Sequence, residues 1–213
     1  MRSKKFEQML QGLERTRDTR DANPRFFICC EDGKSAPRYF EALRKYYKYS
    51  QQSFKVDKKS NRTDPCSVVG RAVDYKKELE KNEDLCTRDG DRVWAVIDVD
   101  QHKGINNACQ KARSNGIQML ISNPCFEYWI LLHFEDTAPG VHDCDELIRK
   151  HLKRHMKNYD KGSTDYSDFV DRAEEAARRA ERQFIAKAES NPIKCCPCTM
   201  IYKLIQALPK HHQ

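Results

Sequence analysis

The chain has 213 residues, 38% of them hydrophobic and 33% charged, with a formal net charge of +7 at pH 7. That length supports one sizeable core with an added subdomain, and no apolar run approaches the roughly 18 residues of a membrane span. The basic excess is compatible with a polyanionic partner, but many ordinary soluble domains share it, so charge alone names no function.

Taken in chain order, residues 1–24 are dense in both charge signs (Arg15-Thr16-Arg17-Asp18-Thr19-Arg20-Asp21). They read as an arm outside the core; a disordered tail is the ordinary reading and an arm along a phosphate backbone the functional one. The charged start, Met1-Arg2-Ser3-Lys4-Lys5, has no apolar signal region. A cytoplasmic protein with reduced thiols is therefore expected. Of the ten cysteines, Cys29, Cys30, Cys109 and Cys125 lie in apolar segments and are read as small hydrophobes.

Arg25 to Cys30 is the first predicted strand. A helix from Ala36 to Tyr49 follows, with Ser35 as cap and Pro37 in the first turn. Ser53 to Val56 is a short second strand, and Ser67 to Leu85 a second helix. Val93 to Ile97 is an apolar, β-branched run that reads as a strand buried on both faces. A helix near Asn106 to Ser114 stops at Asn115-Gly116, and Ile117 to Ile121 is a fourth strand. Ser122-Asn123-Pro124 opens a helix to Phe134, with Asn123 as cap. Strands alternating with helices predict parallel crossovers and an α/β fold.

From Glu135 the pattern changes. Asp143 to Met156, Tyr166 to Glu189 and Thr199 to Leu208 read as helices; the second pairs Glu174 with Arg178 and Glu175 with Arg179 at i,i+4. The densest basic group, Lys150 to Lys157, falls in the first of them. The expected organisation is an arm (1–24), an α/β core (25–134) and a helical elaboration packed on it (135–213).

Chemistry is expected where strands end. Ligands of open α/β sheets bind at the carboxyl ends of the strands. Glu31 follows the first strand, and Asp98 and Asp100 follow the third. The alternation of side chains along a strand points the two aspartates the same way. Neighbouring carboxylates repel unless a cation or proton lies between them, and oxygen-only ligands suit magnesium or manganese. One or two such ions clamp a phosphodiester and activate water. Gly33 permits close approach of backbone to phosphate, and Lys34 offers charge to a developing anion. A solvated strand end is the plain alternative for the Asp-x-Asp pair.

The glutamate turn Cys30-Glu31-Asp32-Gly33-Lys34 and the pattern Val96-Ile97-Asp98-Val99-Asp100 resemble the Toprim domain. More narrowly, Glu31 to Phe40, Asp98 to His102 and Ser122 to Phe134 (Ser-Asn-Pro-Cys-Phe-Glu-Tyr-Trp-Ile-Leu-Leu-His-Phe) resemble the RloB-like family over about residues 25–208. The resemblance implies a Toprim-like, Rossmannoid parallel sheet and a metal-dependent nuclease of bacterial phage defence, acting on RNA such as tRNA in preference to DNA. It also implies an ATPase partner and leaves a homodimer open. Glu31, as acid/base or ligand, and Asp98 and Asp100, as ligands, would be the catalytic set. Ser35-Ala36 stands where the Toprim motif has Thr-Glu; Asp32 is the nearest substitute for that second acid. The alternative is a non-catalytic nucleic-acid-binding or regulatory subunit with a vestigial metal site.

Other residues have two readings each. Glu127 is a fourth acid ligand or a helix-dipole stabiliser. His102 and Lys103 contact phosphate or are solvated. His133, Trp94 and Trp129 read as core. Cys195-Cys196-Pro197-Cys198 with His211 and His212 suggests zinc, but the spacing lacks a second matched pair. There is no Ser-His-Asp signature and no P-loop, so ATP hydrolysis would fall to another protein.

Overall fold

The computed structural model describes residues 24–31, 33–57, 64–81, 92–99, 104–136, 140–187 and 191–209. Nearly all of the N-terminal arm, together with Asp32, Asp100, His102, Lys103, His211 and His212, lies outside them. The core elements are β1 (Phe26–Cys30), α1 (Ser35–Tyr46), β2 (Phe54–Asp57), α2 (Pro65–Lys81), β3 (Arg92–Asp98), α3 (Ile105–Ser114), β4 (Gln118–Asn123) and α4 (Glu127–Leu131). Then come α5 (Cys144–Leu147), a π-helical turn (Ile148–Leu152), α6 (Lys153–His155), a 3-10 turn (Val170–Arg172), α7 (Ala173–Ala186), β5 (Cys198–Thr199) and α8 (Tyr202–Ala207).

The sheet order is β2-β1-β3-β4-β5, with the first four strands parallel and β5 antiparallel to β4. This is the α/β architecture expected, with helices on both faces of a mostly parallel, Rossmann-like sheet. β1 and the Val93–Ile97 run are buried throughout, as a strand covered on both faces must be. Alternate residues feed two cores. Phe26, Ile28, Cys30, Trp94 and Val96 face α1, α4 and the C-terminal helices. Phe27, Cys29, Val93, Ala95 and Ile97 face α2 and α3.

The winding fixes where a site can form. β1 leads through α1 to β2 on one side, while β3 leads through α3 to β4 on the other. The chain therefore changes winding direction between β1 and β3. That crevice, at the carboxyl ends, is the topological switch point of an open sheet.

Several local expectations are corrected. Ser35 does not cap α1; Lys34 holds the cap position without a side-chain bond, and the Ser35 hydroxyl turns inward. Asn123 does not cap α4. Its Nδ2 donates to Ile193 O at 2.8 Å, and the helix starts at Glu127, after a cis Asn123–Pro124 peptide. Cys198–Thr199 is a strand, so the last helix begins at Tyr202. Arg178 pairs with Glu175 and not with Glu174, while the Glu175–Arg179 pair forms at 3.2 Å. The stop at Asn115-Gly116 forms as expected, with Gly116 at φ 63°. Among the described residues, no helix is long and apolar enough to cross a membrane.

Candidate functional site

Register brings the strand-end acids together. Cys30 is opposite Val96, and Asp98 is opposite Ser122. The residue after β1, Glu31, thus lies level with the end of β3. Its Oε2 accepts the Asp98 backbone N–H at 3.0 Å. Both residues are half-buried. Asp57 ends β2 on the same edge, because all three strands run parallel.

A cation completes this rim. Arg71, from α2, donates Nη2 to Cys30 O at 2.6 Å and Nε to Asp57 Oδ2 at 2.8 Å. It thereby fixes the carboxyl ends of β1 and β2 and sets positive charge one residue from Glu31. The strand-end rule would have found Asp57. Arg71 carries no sequence signal, since a lone arginine on a helix reads as surface.

Gly33 and Lys34 are exposed on the loop between Glu31 and α1. An open cavity of about 850 Å³ begins at Gly33 and runs between Arg38 and Lys45 of α1 and the facing Ser163–Ser167 loop.

Glu127 belongs to a different cluster. It is 1% exposed. Its Oε1 accepts from the Ser35 hydroxyl at 2.6 Å and the Tyr159 hydroxyl at 2.9 Å. Its Oε2 pairs with Lys161 Nζ at 3.3 Å. None of these bonds runs to Glu31 or Asp98. They tie the first-motif loop, α4 and the C-terminal elaboration into one buried polar node, as a buried charge requires. Burial, then the adjacent Glu127 carboxylate, pushes the Tyr159 hydroxyl far above the usual tyrosine range, so it stays a donor.

The cysteine expectation is corrected at one place. Cys125 is not a free apolar thiol but is disulfide-bonded to Cys144, with Cα atoms 5.9 Å apart. Cys29 and Cys30 are buried and free, as expected. Cys144 Sγ lies 3.4 Å from Glu127 Oε2. Once reduced, the two sulfurs and Glu127 would be close enough to share an ion. That donor set suits a borderline-soft cation such as zinc and not magnesium. The Cys195–Cys198 cluster is arranged otherwise. Cys198 Sγ faces Pro192 O at 3.4 Å, and Cys196 Sγ faces Val141 O at 3.5 Å. Burial, then neighbouring Cys195, pushes the Cys198 thiol well up.

The remaining predicted residues resolve as core. Trp94 and Trp129 are buried. His133 is sealed between the Tyr39 hydroxyl, 2.9 Å from Nε2, and Trp129 O, 3.0 Å from Nδ1.

The span that carries this arrangement matches a known family. The model of the family described as RloB-like protein matches residues 26–208, a span that holds Glu31, Asp98 and Glu127. No curated protein and no solved structure matches the chain. With the match covering every described element of the sheet, the chain belongs to the RloB-like family.

Proposed function

We propose that this chain is a divalent-metal-dependent nuclease that hydrolyses phosphodiesters, with RNA such as tRNA as substrate, in bacterial anti-phage defence. The observation that carries the reading is the meeting of Glu31 and Asp98 at the switch point, through the 3.0 Å bond from the Asp98 amide to Glu31 Oε2. The defence role and the RNA substrate come from the family resemblance alone.

The donor chemistry fits a hard cation. Glu31 and Asp98 offer carboxylate oxygens, the donors that magnesium and manganese prefer. Asp100, two residues on, would complete the set. Magnesium or manganese held by these acids supplies Lewis-acid stabilisation of the phosphoryl oxygens and a water of lowered pKa. The chain's own groups do the rest. Gly33 opens backbone space for a phosphate, and Lys34 offers a positive charge to it. Arg71 fixes the carboxyl ends of β1 and β2, and Glu31 follows the first of them directly.

A second reading is a nucleic-acid-binding or regulatory subunit whose acids no longer work. One observation favours it: Glu31 Oε2 is engaged by a backbone amide, as a purely structural carboxylate would be.

The test is Glu31→Gln and wild type on end-labelled total tRNA and on plasmid DNA, each with magnesium, manganese or EDTA. The nuclease reading expects metal-dependent cutting by wild type and a loss of at least ~100-fold in the variant. Equal cutting by the two proteins would remove Glu31 from the catalytic set. Salt-dependent binding without turnover by wild type would favour the second reading.

A further inference from the structure

Residues 149–157 read Arg-Lys-His-Leu-Lys-Arg-His-Met-Lys, with no acid among them. Residues 149–155 occupy the π-helical turn and α6, and Met156 and Lys157 follow the end of α6. Leu152 is buried, and Met156 packs against the larger core. The two histidines turn toward Glu135, with His151 Nδ1 and His155 Nε2 each 3.1 Å from one of its oxygens. Arg149, Lys150, Lys153, Arg154 and Lys157 are left exposed. Among the described residues only Lys150 has an ion-pair partner, Glu146 at 2.5 Å.

This is not how the chain builds an ordinary solvated helix. On α7, Glu175 takes both Arg178 and Arg179. In the basic segment, Arg149 and Lys153, and Lys150 and Arg154, are like charges four residues apart along one helical run, a spacing that sets them against each other, and Lys157 follows just past its end. The segment keeps this repulsion on a packed scaffold. A polyanion laid across it relieves the repulsion and releases its own counterions.

The position points the same way. The segment runs directly into Tyr159 and Lys161, which reach Glu127. The Tyr159 hydroxyl also lies 3.3 Å from the Ser35 hydroxyl, one residue past Lys34. The basic face therefore ends against the loop that borders the switch-point acids.

We infer that Arg149, Lys153, Arg154 and Lys157 form a platform for the phosphate backbone of a nucleic acid, which leads the strand past Tyr159 and Lys161 to the Gly33-Lys34 loop. The inference deepens the nuclease reading and rests on it for where the strand goes. Charge complementarity selects the occupant: four exposed cations without an ion-pair partner among the described residues suit the repeated negative charge of a phosphate backbone. The long side chains carry no fixed base-reading geometry, so the platform binds without sequence preference.

The test is fluorescence anisotropy of a labelled single-stranded RNA across roughly 50–200 mM salt. The proteins are wild type, the fourfold charge reversal (Arg149→Glu, Lys153→Glu, Arg154→Glu, Lys157→Glu), its milder fourfold Gln counterpart, and, as the control, Lys77→Glu/Lys81→Glu on the exposed side of α2. Circular dichroism confirms folding, and the Gln variant answers if the reversal does not fold. The platform predicts that the Gln variant binds at least ~10-fold more weakly, the reversal about 100-fold, and that the slope of log K against log salt falls by about three. The α2 variant stays within about twofold of wild type. Wild-type-like binding by the Gln variant overturns the platform, as does equal competition by poly-glutamate or no binding by wild type. RNA bound through these cations but never cut would overturn the nuclease reading and leave the platform standing.

Discussion

His133 shows how burial sets the chemistry of one residue. Its Nδ1 lies 3.0 Å from Trp129 O, so the proton sits there and Nε2 accepts the Tyr39 hydroxyl at 2.9 Å. Tyr39, Trp129 and Phe169 pack edge-on around the ring. Burial pushes its pKa down to about 3, and the nearby Arg172 and Arg179 add to the effect. The unfolded chain titrates this imidazole at about 6.5. Between those values the unfolded state binds the extra proton, so stability rises with pH there. The contribution is fully present above about 6.5 and is lost as pH falls toward 3, by up to about 1.4 kcal/mol per pH unit. Urea midpoints at half-unit steps from pH 7 to pH 4, for wild type and His133→Gln, isolate the effect. The variant is less stable at pH 7 but shows a shallower slope below 6.5. Parallel slopes would mean that His133 is not held neutral. Glu127, at the start of the short helix that precedes His133, is buried differently: Ser35, Tyr159 and Lys161 surround its carboxyl group.

At the scale of elements, the Cys125–Cys144 disulfide ties the β4–α4 junction to α5. It closes a loop with a sequence separation of 19. The chain-entropy argument gives such a link about 3 kcal/mol. Cys144→Ala is therefore expected to be about 3 kcal/mol less stable than the oxidised wild type and close to the fully reduced wild type. Equal stability of oxidised and reduced protein would show that the link constrains nothing. This pairing was not legible in the sequence, because a half-cystine in an apolar segment looks like a small hydrophobe and its partner is set by tertiary approach. β1 and β3 were legible because short, wholly apolar runs bounded by polar residues have few other uses. Asn123-Pro124 misled for a physical reason. It carries the residue types of a helix start, yet the Asn123 amide bonds Ile193 O and the helix begins three residues after Pro124. β5, two residues long, has no period to read.

At the scale of the whole molecule, the rim of acids was legible as residues and not as a place. Glu31 and Asp98 stand out by composition, but only the strand order, which no local pattern encodes, makes β1 and β3 neighbours at the point where the winding reverses. The same holds for the boundary expected at Glu135. The change of pattern there is real, but the larger core crosses it. Tyr39, Phe126, Trp129 and Leu131 share one cluster with Leu147, Tyr166, Phe169, Ala177 and Leu204. β5 covers the end of β4, with Ser122 opposite Thr199, Asn123 opposite Cys198, and Met200 N donating to Ile121 O at 2.8 Å. Glu127 also draws its Tyr159 and Lys161 partners from beyond the boundary. A chain ending at Asp136 would expose one face of the aromatic cluster, open the β4 edge and leave a buried carboxylate with Ser35 alone. Each of these defects is destabilising, and the open edge invites aggregation. Such a truncated chain is expected to lack the near-UV signature of packed tryptophans and to unfold in urea without a cooperative transition. A truncated chain that unfolds sharply, with native-like near-UV signal, would make residues 24–136 a domain that stands alone. The C-terminal elements would then be an accessory to the core, and the basic segment they carry could be removed without disturbing the acids of the rim.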